Sequence, residues 1–117
     1  MSQKYIVGDI VMYKNRIHTI IDTLGLNNYE LSYVRHPVNQ AELSGVPLTP
    51  KILEKNGWSK EHIYFRHSRI PRIKLCTDGG ISWSVSINDD IMGGYISYVH
   101  ELQHILFAFK IEQQMEV

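Results

Sequence analysis

The chain has 117 residues, enough for one domain with a modest hydrophobic core, and we expect a single domain over residues 1–117. Its 12 basic and 12 acidic residues give no net charge, which argues against nonspecific binding to nucleic acid or to an anionic membrane. The single cysteine excludes an intramolecular disulfide. Together with the lack of a long apolar run, it predicts a cytoplasmic protein with no membrane partner.

The first third of the chain predicts an antiparallel β-meander. Alternating side chains in IVGDIVMYK, RIHTIID and YELSYV indicate three strands, with turns at Lys14-Asn15 and between Leu24 and Asn28. Such a meander is compatible with a small SH3-like barrel, an analogy that concerns the fold and carries no function.

A polar loop and a short helix are predicted next. RHPVNQAELSG is polar and irregular, which favours a loop. In VPLTPKILEKNGW, Thr49 suits the N-cap of a helix and Pro50 its first position. Gly57 suits the left-handed position that follows a helix. This segment therefore predicts a connecting helix.

A β-hairpin is predicted from IPRIKLCT to ISWSVSI. The second segment alternates strictly, with three serines on one face. Its apolar face consists of Ile81, Trp83, Val85 and Ile87. Asp78-Gly79-Gly80 predicts the turn, and Pro71, which has no N–H for the ladder, predicts that its strand starts there or lies at an edge.

The end of the chain predicts a helix. Asn88 to Gly94 indicates a break in the strands, after which a helix is expected from about Tyr95 towards Gln113. Its apolar stripe is Tyr95, Val99, Leu102, Leu106 and Phe109. The sequence as a whole predicts an α+β fold, in which an N-terminal antiparallel β-meander, a short connecting helix, a β-hairpin and a C-terminal helix packed on the sheet follow one another.

The predicted C-terminal helix contains HELQH, the His-Glu-x-x-His pattern of zinc hydrolases. In such enzymes His100 and His104 would bind zinc and Glu101 would act as the general base. Helical geometry instead places both histidines nearly opposite the apolar stripe, and no spacing in the chain identifies a third ligand. We therefore predict no metal, no cofactor and no catalytic residue.

The histidine side of this helix also carries apolar residues. His104, Phe107 and Ile111 follow one another at positions i, i+3 and i+7 and form a second, narrower strip. A helix that is apolar on two sides usually has a second partner. The strip therefore predicts the interface of a homo-oligomer.

Three blocks of sequence carry a family resemblance: IVGDIVMYKNRIHTI, VPLTPKILEKNGW and YVHELQHILFAF. The chain resembles a group of small uncharacterised proteins carried by bacteriophages, prophages and mobile elements of Bacteroidales-type bacteria. The resemblance implies amides where Glu101 and His104 stand, and a Thr-Gly where this chain has Phe109, Lys110 and Ile111. It implies no activity, only the context of an accessory protein in the bacterial cytoplasm.

The stretch WSKEHIYFRHSRIPRIK predicts a binding site for a small anionic ligand. Arginine recognises phosphate through paired hydrogen bonds, and aromatic rings stack on bases. The candidate residues are Trp58, Tyr64, Arg66, His67, Arg69, Arg72 and Lys74. The cations would neutralise phosphate, Trp58 and Tyr64 would stack, and His67 would donate a hydrogen bond. The protein would then sequester a nucleotide-like ligand without catalysis, as phage proteins that counter host immunity signalling do.

A different class of function stays open beside this one. The C-terminal helix or an exposed strand edge could bind a host or phage protein, a mechanism that needs no recognisable site. The charges of the arginine-rich stretch would then simply face water, as in any amphipathic hairpin.

Overall fold

The computed structural model describes residues 4–77, 82–88, 90–111 and 114–117, with the backbone alone over residues 90–94. The strands are β1 (Ile10–Tyr13), β2 (Arg16–Leu24), β3 (Asn28–Leu31), β4 (Val38–Asn39), β5 (Ser44–Gly45), β6 (Trp58–Glu61), β7 (Tyr64–His67), β8 (Ile70–Thr77), β9 (Trp83–Ile87) and β10 (Asp90–Ile96). The helices are α1 (Pro50–Lys55) and α2 (Val99–Ala108), and a 3-10 turn spans Gln40–Glu42. These elements confirm the predicted α+β fold.

The described residues form two compact units, which we describe separately. The first is made of the described residues within 1–46 and 98–114, and the second of those within 47–97 and 115–117. Over the part of the chain that the structure describes, no helix is long and apolar enough to cross a membrane.

The first unit is a five-stranded antiparallel sheet with α2 packed on it. Its strand order is β4-β3-β2-β1-β5, and the 3-10 turn connects β4 to β5. Lys14 and Asn15 form the first turn at positive φ (49° and 62°), the geometry that two-residue hairpin turns prefer. The core comprises Tyr5, Val11, Tyr13, Ile20, Tyr29, Leu31, Val38 and Leu43.

Two sequence predictions about this unit were wrong in detail. RHPVNQAELSG is more than a loop, because it forms β4, the 3-10 turn and β5. The Asn39 side chain accepts a hydrogen bond from the Ala41 N–H (2.9 Å), and Glu42 accepts one from the Asn39 N–H (3.2 Å), which nucleates the turn. The third strand ends at Leu31, and Tyr33 lies beyond it at positive φ and fully exposed.

The second unit is a five-stranded antiparallel sheet, ordered β10-β9-β8-β7-β6, preceded by α1. The predicted helix signals are confirmed. The Thr49 hydroxyl accepts a hydrogen bond from the Ile52 N–H (3.2 Å), Pro50 begins α1, and Gly57 follows it with φ of 89°.

The predicted hairpin is confirmed as the pairing of β8 with β9, although Asp78-Gly79-Gly80 and Ile81 lie outside the described residues. Trp83 and Val85 are buried, and the Trp83 indole N–H donates a hydrogen bond to the Leu48 carbonyl (2.9 Å). Pro71 lies at the start of β8, where the register with β7 shifts and the missing N–H is tolerated.

The boundary between the last strand and the last helix was predicted wrongly. Residues 90–96 do not break the sheet but form β10, in which Ile96 pairs with Trp83 and is buried. Tyr95 is therefore a strand residue, and α2 begins at Val99 and ends at Ala108. The register of β10 shifts between Ile91 and Tyr95, which obscures a two-residue period in the sequence.

Candidate functional site

One face of the second unit's sheet is polar, and we call it the polar face. Residues directly opposed in antiparallel strands lie on the same face. One row across the strands is Tyr95, Ser84, Cys76, Tyr64 and Glu61, and the adjacent row includes Ser86, Lys74, Arg66 and Ser59. The opposite face carries the buried side chains Trp83, Val85, Leu75 and Phe65.

Two cations of the polar face converge on one aromatic ring. Arg66 and Lys74 are directly opposite each other in β7 and β8. The Arg66 guanidinium carbon lies 5.6 Å, and the Lys74 ammonium nitrogen 4.8 Å, from the centre of the Tyr64 ring. Like charges in directly opposed positions repel each other. Each cation–π contact offsets this repulsion by about 0.5–1 kcal/mol.

Arg66 has hydrogen-bonding capacity that the fold does not use. Its Nη1 lies 3.6 Å from the Glu61 carboxylate, and the two side chains are 33% and 48% exposed. Such an exposed ion pair contributes at most about 1 kcal/mol because water and salt screen it. The Arg66 Nε is buried and makes no hydrogen bond to any described residue. The terminal N–H groups of the guanidinium, rather than Nε, are therefore the part of Arg66 that a ligand can reach.

The structure separates the predicted ligand-binding residues. Trp58 is 3% exposed, and its ring contacts His67 edge-to-face at 5.6 Å. Both lie on the apolar side of the sheet, since Trp58 pairs with His67 and alternation places His67 opposite Arg66. The His67 Nδ1 accepts a hydrogen bond from the Arg69 backbone N–H (3.0 Å), so this nitrogen is engaged within its own turn.

The remaining predicted cations are exposed. Arg69 lies in the turn between β7 and β8, and Arg72 lies in β8 on the same side as Lys74 by alternation. The predicted set therefore reduces to Tyr64, Arg66 and Lys74, with Arg72 further along the same strand. Tyr95, which is 74% exposed and opposite Ser84, was not among the predicted residues, because its sequence pattern also fits a helix.

The helical wheel predicted that both histidines of HELQH point away from the core, and this prediction was wrong for His100. His100 is 4% exposed. Its ring stacks on Tyr98 at 5.7 Å and contacts Tyr5 edge-to-face at 4.9 Å. The prediction failed because the segment before β1 covers the side of α2 that faces away from its apolar stripe. Burial lowers the pKa of His100 to about 4.

His104 pairs with a buried aspartate at the start of the first unit. Its Nε2 lies 2.6 Å from the Asp9 Oδ2, which also accepts a hydrogen bond from the Ile6 N–H (2.9 Å). The Asp9 side chain is fully buried, whereas that of His104 is 36% exposed. Burial raises the pKa of Asp9, and the two hydrogen bonds oppose that rise.

Glu101 has a structural role at the start of α2. Its carboxylate accepts a hydrogen bond from the Tyr98 backbone N–H (3.0 Å), one half of a capping box, and lies at the positive end of the helix. Within residues 4–77, 82–88, 90–111 and 114–117, no group of three His, Cys, Asp or Glu side chains could hold a metal ion.

The predicted interface strip is only partly helical. Phe107 is 61% exposed on α2, and His104 contacts Asp9. Ile111 lies beyond the helix end, where its N–H donates a hydrogen bond to the Leu106 carbonyl (2.8 Å). The homo-oligomer interface at His104, Phe107 and Ile111 stays a prediction.

Comparisons of the chain with protein families, with curated proteins and with solved structures found no match.

Proposed function

We propose that the protein binds a small phosphate-bearing ligand on the polar face and does not transform it. The observation that carries this proposal is the convergence of Arg66 and Lys74, directly opposed in β7 and β8, on the Tyr64 ring. A phosphate supplies both the negative charge and the acceptor oxygens that this arrangement accommodates.

The energetics favour an anion at this position. The Arg66 side chain is partly exposed, so its terminal N–H groups can donate charge-assisted hydrogen bonds to a ligand oxygen. An anion placed between two opposed cations is attracted to both of them. Ser86 lies directly opposite Lys74 and adds a hydroxyl group to the same row. Binding of this kind needs no nucleophile and no general base, in keeping with the sequestering role expected from the arginine-rich stretch.

Neutralising both cations tests the proposal. We expect wild-type protein to bind inorganic pyrophosphate in isothermal titration calorimetry, and the Arg66→Gln/Lys74→Gln variant to bind at least about ten-fold more weakly, since charge-assisted hydrogen bonds are lost. The matched control is Lys51→Gln/Lys60→Gln, which removes the same charge at exposed positions of α1 and β6 outside the polar face.

The control variant should bind pyrophosphate like the wild type. Raising the salt concentration should weaken pyrophosphate binding to the wild type and to the control variant alike. Circular dichroism melts check that all variants fold. Absence of pyrophosphate binding to the wild-type protein, or an equal loss in the control variant, would overturn the proposal and leave binding to a protein partner as the function to pursue.

A further inference from the structure

The polar face extends beyond the cation pair to an exposed aromatic ring. Tyr95 lies in β10, the strand at the edge of the second unit's sheet, and is 74% exposed. It is directly opposite Ser84, which is in turn opposite Cys76 in β8. Tyr95 therefore lies on the same face of the sheet as Lys74, in the adjacent row.

The other aromatic candidates are less suited than Tyr95 to stack on a ligand on this side of the sheet. Arg66 and Lys74 both lie over the Tyr64 ring, at 5.6 Å and 4.8 Å from its centre. Trp58 is 3% exposed and lies on the apolar side. Tyr95 differs from both because its ring is exposed on the polar face itself.

The spacing between the cations and Tyr95 limits the size of the ligand. Neighbouring strands lie about 4.8 Å apart, so β8 and β10 are separated by roughly 10 Å. Adjacent rows on one face are about 6.8 Å apart along the strands. The backbones of Lys74 and Tyr95 are therefore roughly 12 Å apart. A phosphate, a sugar and a planar base joined in one molecule extend over a comparable distance.

The side chains between the two ends suit a sugar. Ser84 and Ser86 of β9 lie between β8 and β10 on the polar face. The Ser84 hydroxyl donates its hydrogen to the Cys76 carbonyl (3.2 Å), so towards a ligand hydroxyl its oxygen can act only as an acceptor.

We infer that the ligand is a nucleoside phosphate whose phosphate lies between Arg66 and Lys74 and whose base stacks on Tyr95. This inference rests on the proposed function, because it places the phosphate at the same cation pair. Stacking on an aromatic side chain strengthens binding by roughly five- to a hundred-fold and tolerates any base. Tyr95 thus distinguishes a nucleotide from an inorganic phosphate.

The test compares adenosine diphosphate with inorganic pyrophosphate on variants of Tyr95. We expect Tyr95→Leu to weaken adenosine diphosphate binding about ten-fold and to leave pyrophosphate binding unchanged, since only the nucleotide uses the ring. Tyr95→Phe keeps the ring and should bind both probes like the wild type. Tyr33→Leu, at a fully exposed tyrosine of the first unit, is the matched control.

The two proposals fail in different ways. If Tyr95→Leu leaves adenosine diphosphate affinity unchanged while Arg66→Gln/Lys74→Gln weakens both probes, the stacking role of Tyr95 is overturned and the phosphate site stands. If neither probe binds the wild-type protein, both proposals are overturned.

Discussion

Replacing Gln103 by Met is expected to lower the free energy of unfolding by about 2–4 kcal/mol. Gln103 is fully buried in α2. Its side-chain oxygen accepts a hydrogen bond from the Ile10 N–H (2.8 Å), and its side-chain nitrogen donates one to the Gly8 carbonyl (2.9 Å). Methionine has a similar volume but leaves both backbone groups without that partner. Urea denaturation measures the loss.

The control for this substitution is Gln114→Met, because Gln114 is exposed. The control should change the unfolding free energy by less than about 0.5 kcal/mol. A loss below about 1 kcal/mol in Gln103→Met would contradict the account, since it would mean that apolar packing alone holds α2 on the sheet.

Stability is expected to fall as the pH is lowered from about 6.5 towards 4, because of His100. Its pKa in the folded protein is about 4, below its usual 6.5. The unfolded chain therefore takes up a proton first, which favours unfolding as the pH falls through this window. Between pH 7 and pH 5 this group should remove about 2 kcal/mol of the unfolding free energy.

The groups around His100 modify this dependence. The Glu101 carboxylate raises the His100 pKa, whereas His104 and Lys4 lower it. Asp9, in contact with His104, acts in the opposite direction, since burial raises its pKa in the folded state. Its ionised form is unfavourable when folded, and that cost disappears as the pH falls through the raised pKa. The loss of stability that His100 causes at low pH should therefore level off as Asp9 takes up its proton.

The variant His100→Phe isolates the histidine. Phenylalanine keeps an aromatic ring between Tyr5 and Tyr98 but does not titrate. Urea unfolding at pH 7 and pH 5 should show a smaller difference in this variant than in the wild type by about 2 kcal/mol. His36→Phe, at an exposed position, should keep the wild-type difference. An unchanged difference in His100→Phe would refute the assignment.

Local sequence signals predicted the local structure well. Thr49, Pro50 and Gly57 define α1 because each residue type suits one position of a helix end, whatever surrounds it. Lys14 and Asn15 likewise make their turn within four residues of chain. Such signals act over short distances and do not depend on tertiary partners.

The last strand was missed for the opposite reason. Tyr95 and Ile96 fit a helical stripe as well as a strand, and their pairing with β9 decides between the two. The burial of His100 was missed because Tyr5, which contacts it, is distant in sequence. Both outcomes depend on tertiary contacts that no local pattern encodes.

The candidate site was predicted in part. The Arg66–Lys74 pair depends on strand register, which the sequence of one strand does not contain. The exclusion of His67, however, follows from alternation within YFRH, because Tyr64 and Arg66 lie on one side and Phe65 and His67 on the other. A strict two-residue period applied to that segment would have separated them.

The most direct test of the polar face as a phosphate site is a titration with pyrophosphate followed by backbone amide chemical shifts in NMR spectra. The account predicts saturable shifts centred on Arg66, Lys74 and Ser86, where β7, β8 and β9 are adjacent. The amide of Ile20, in the core of the first unit, should not move. Shifts centred elsewhere, or no saturable shift at millimolar pyrophosphate, would contradict it.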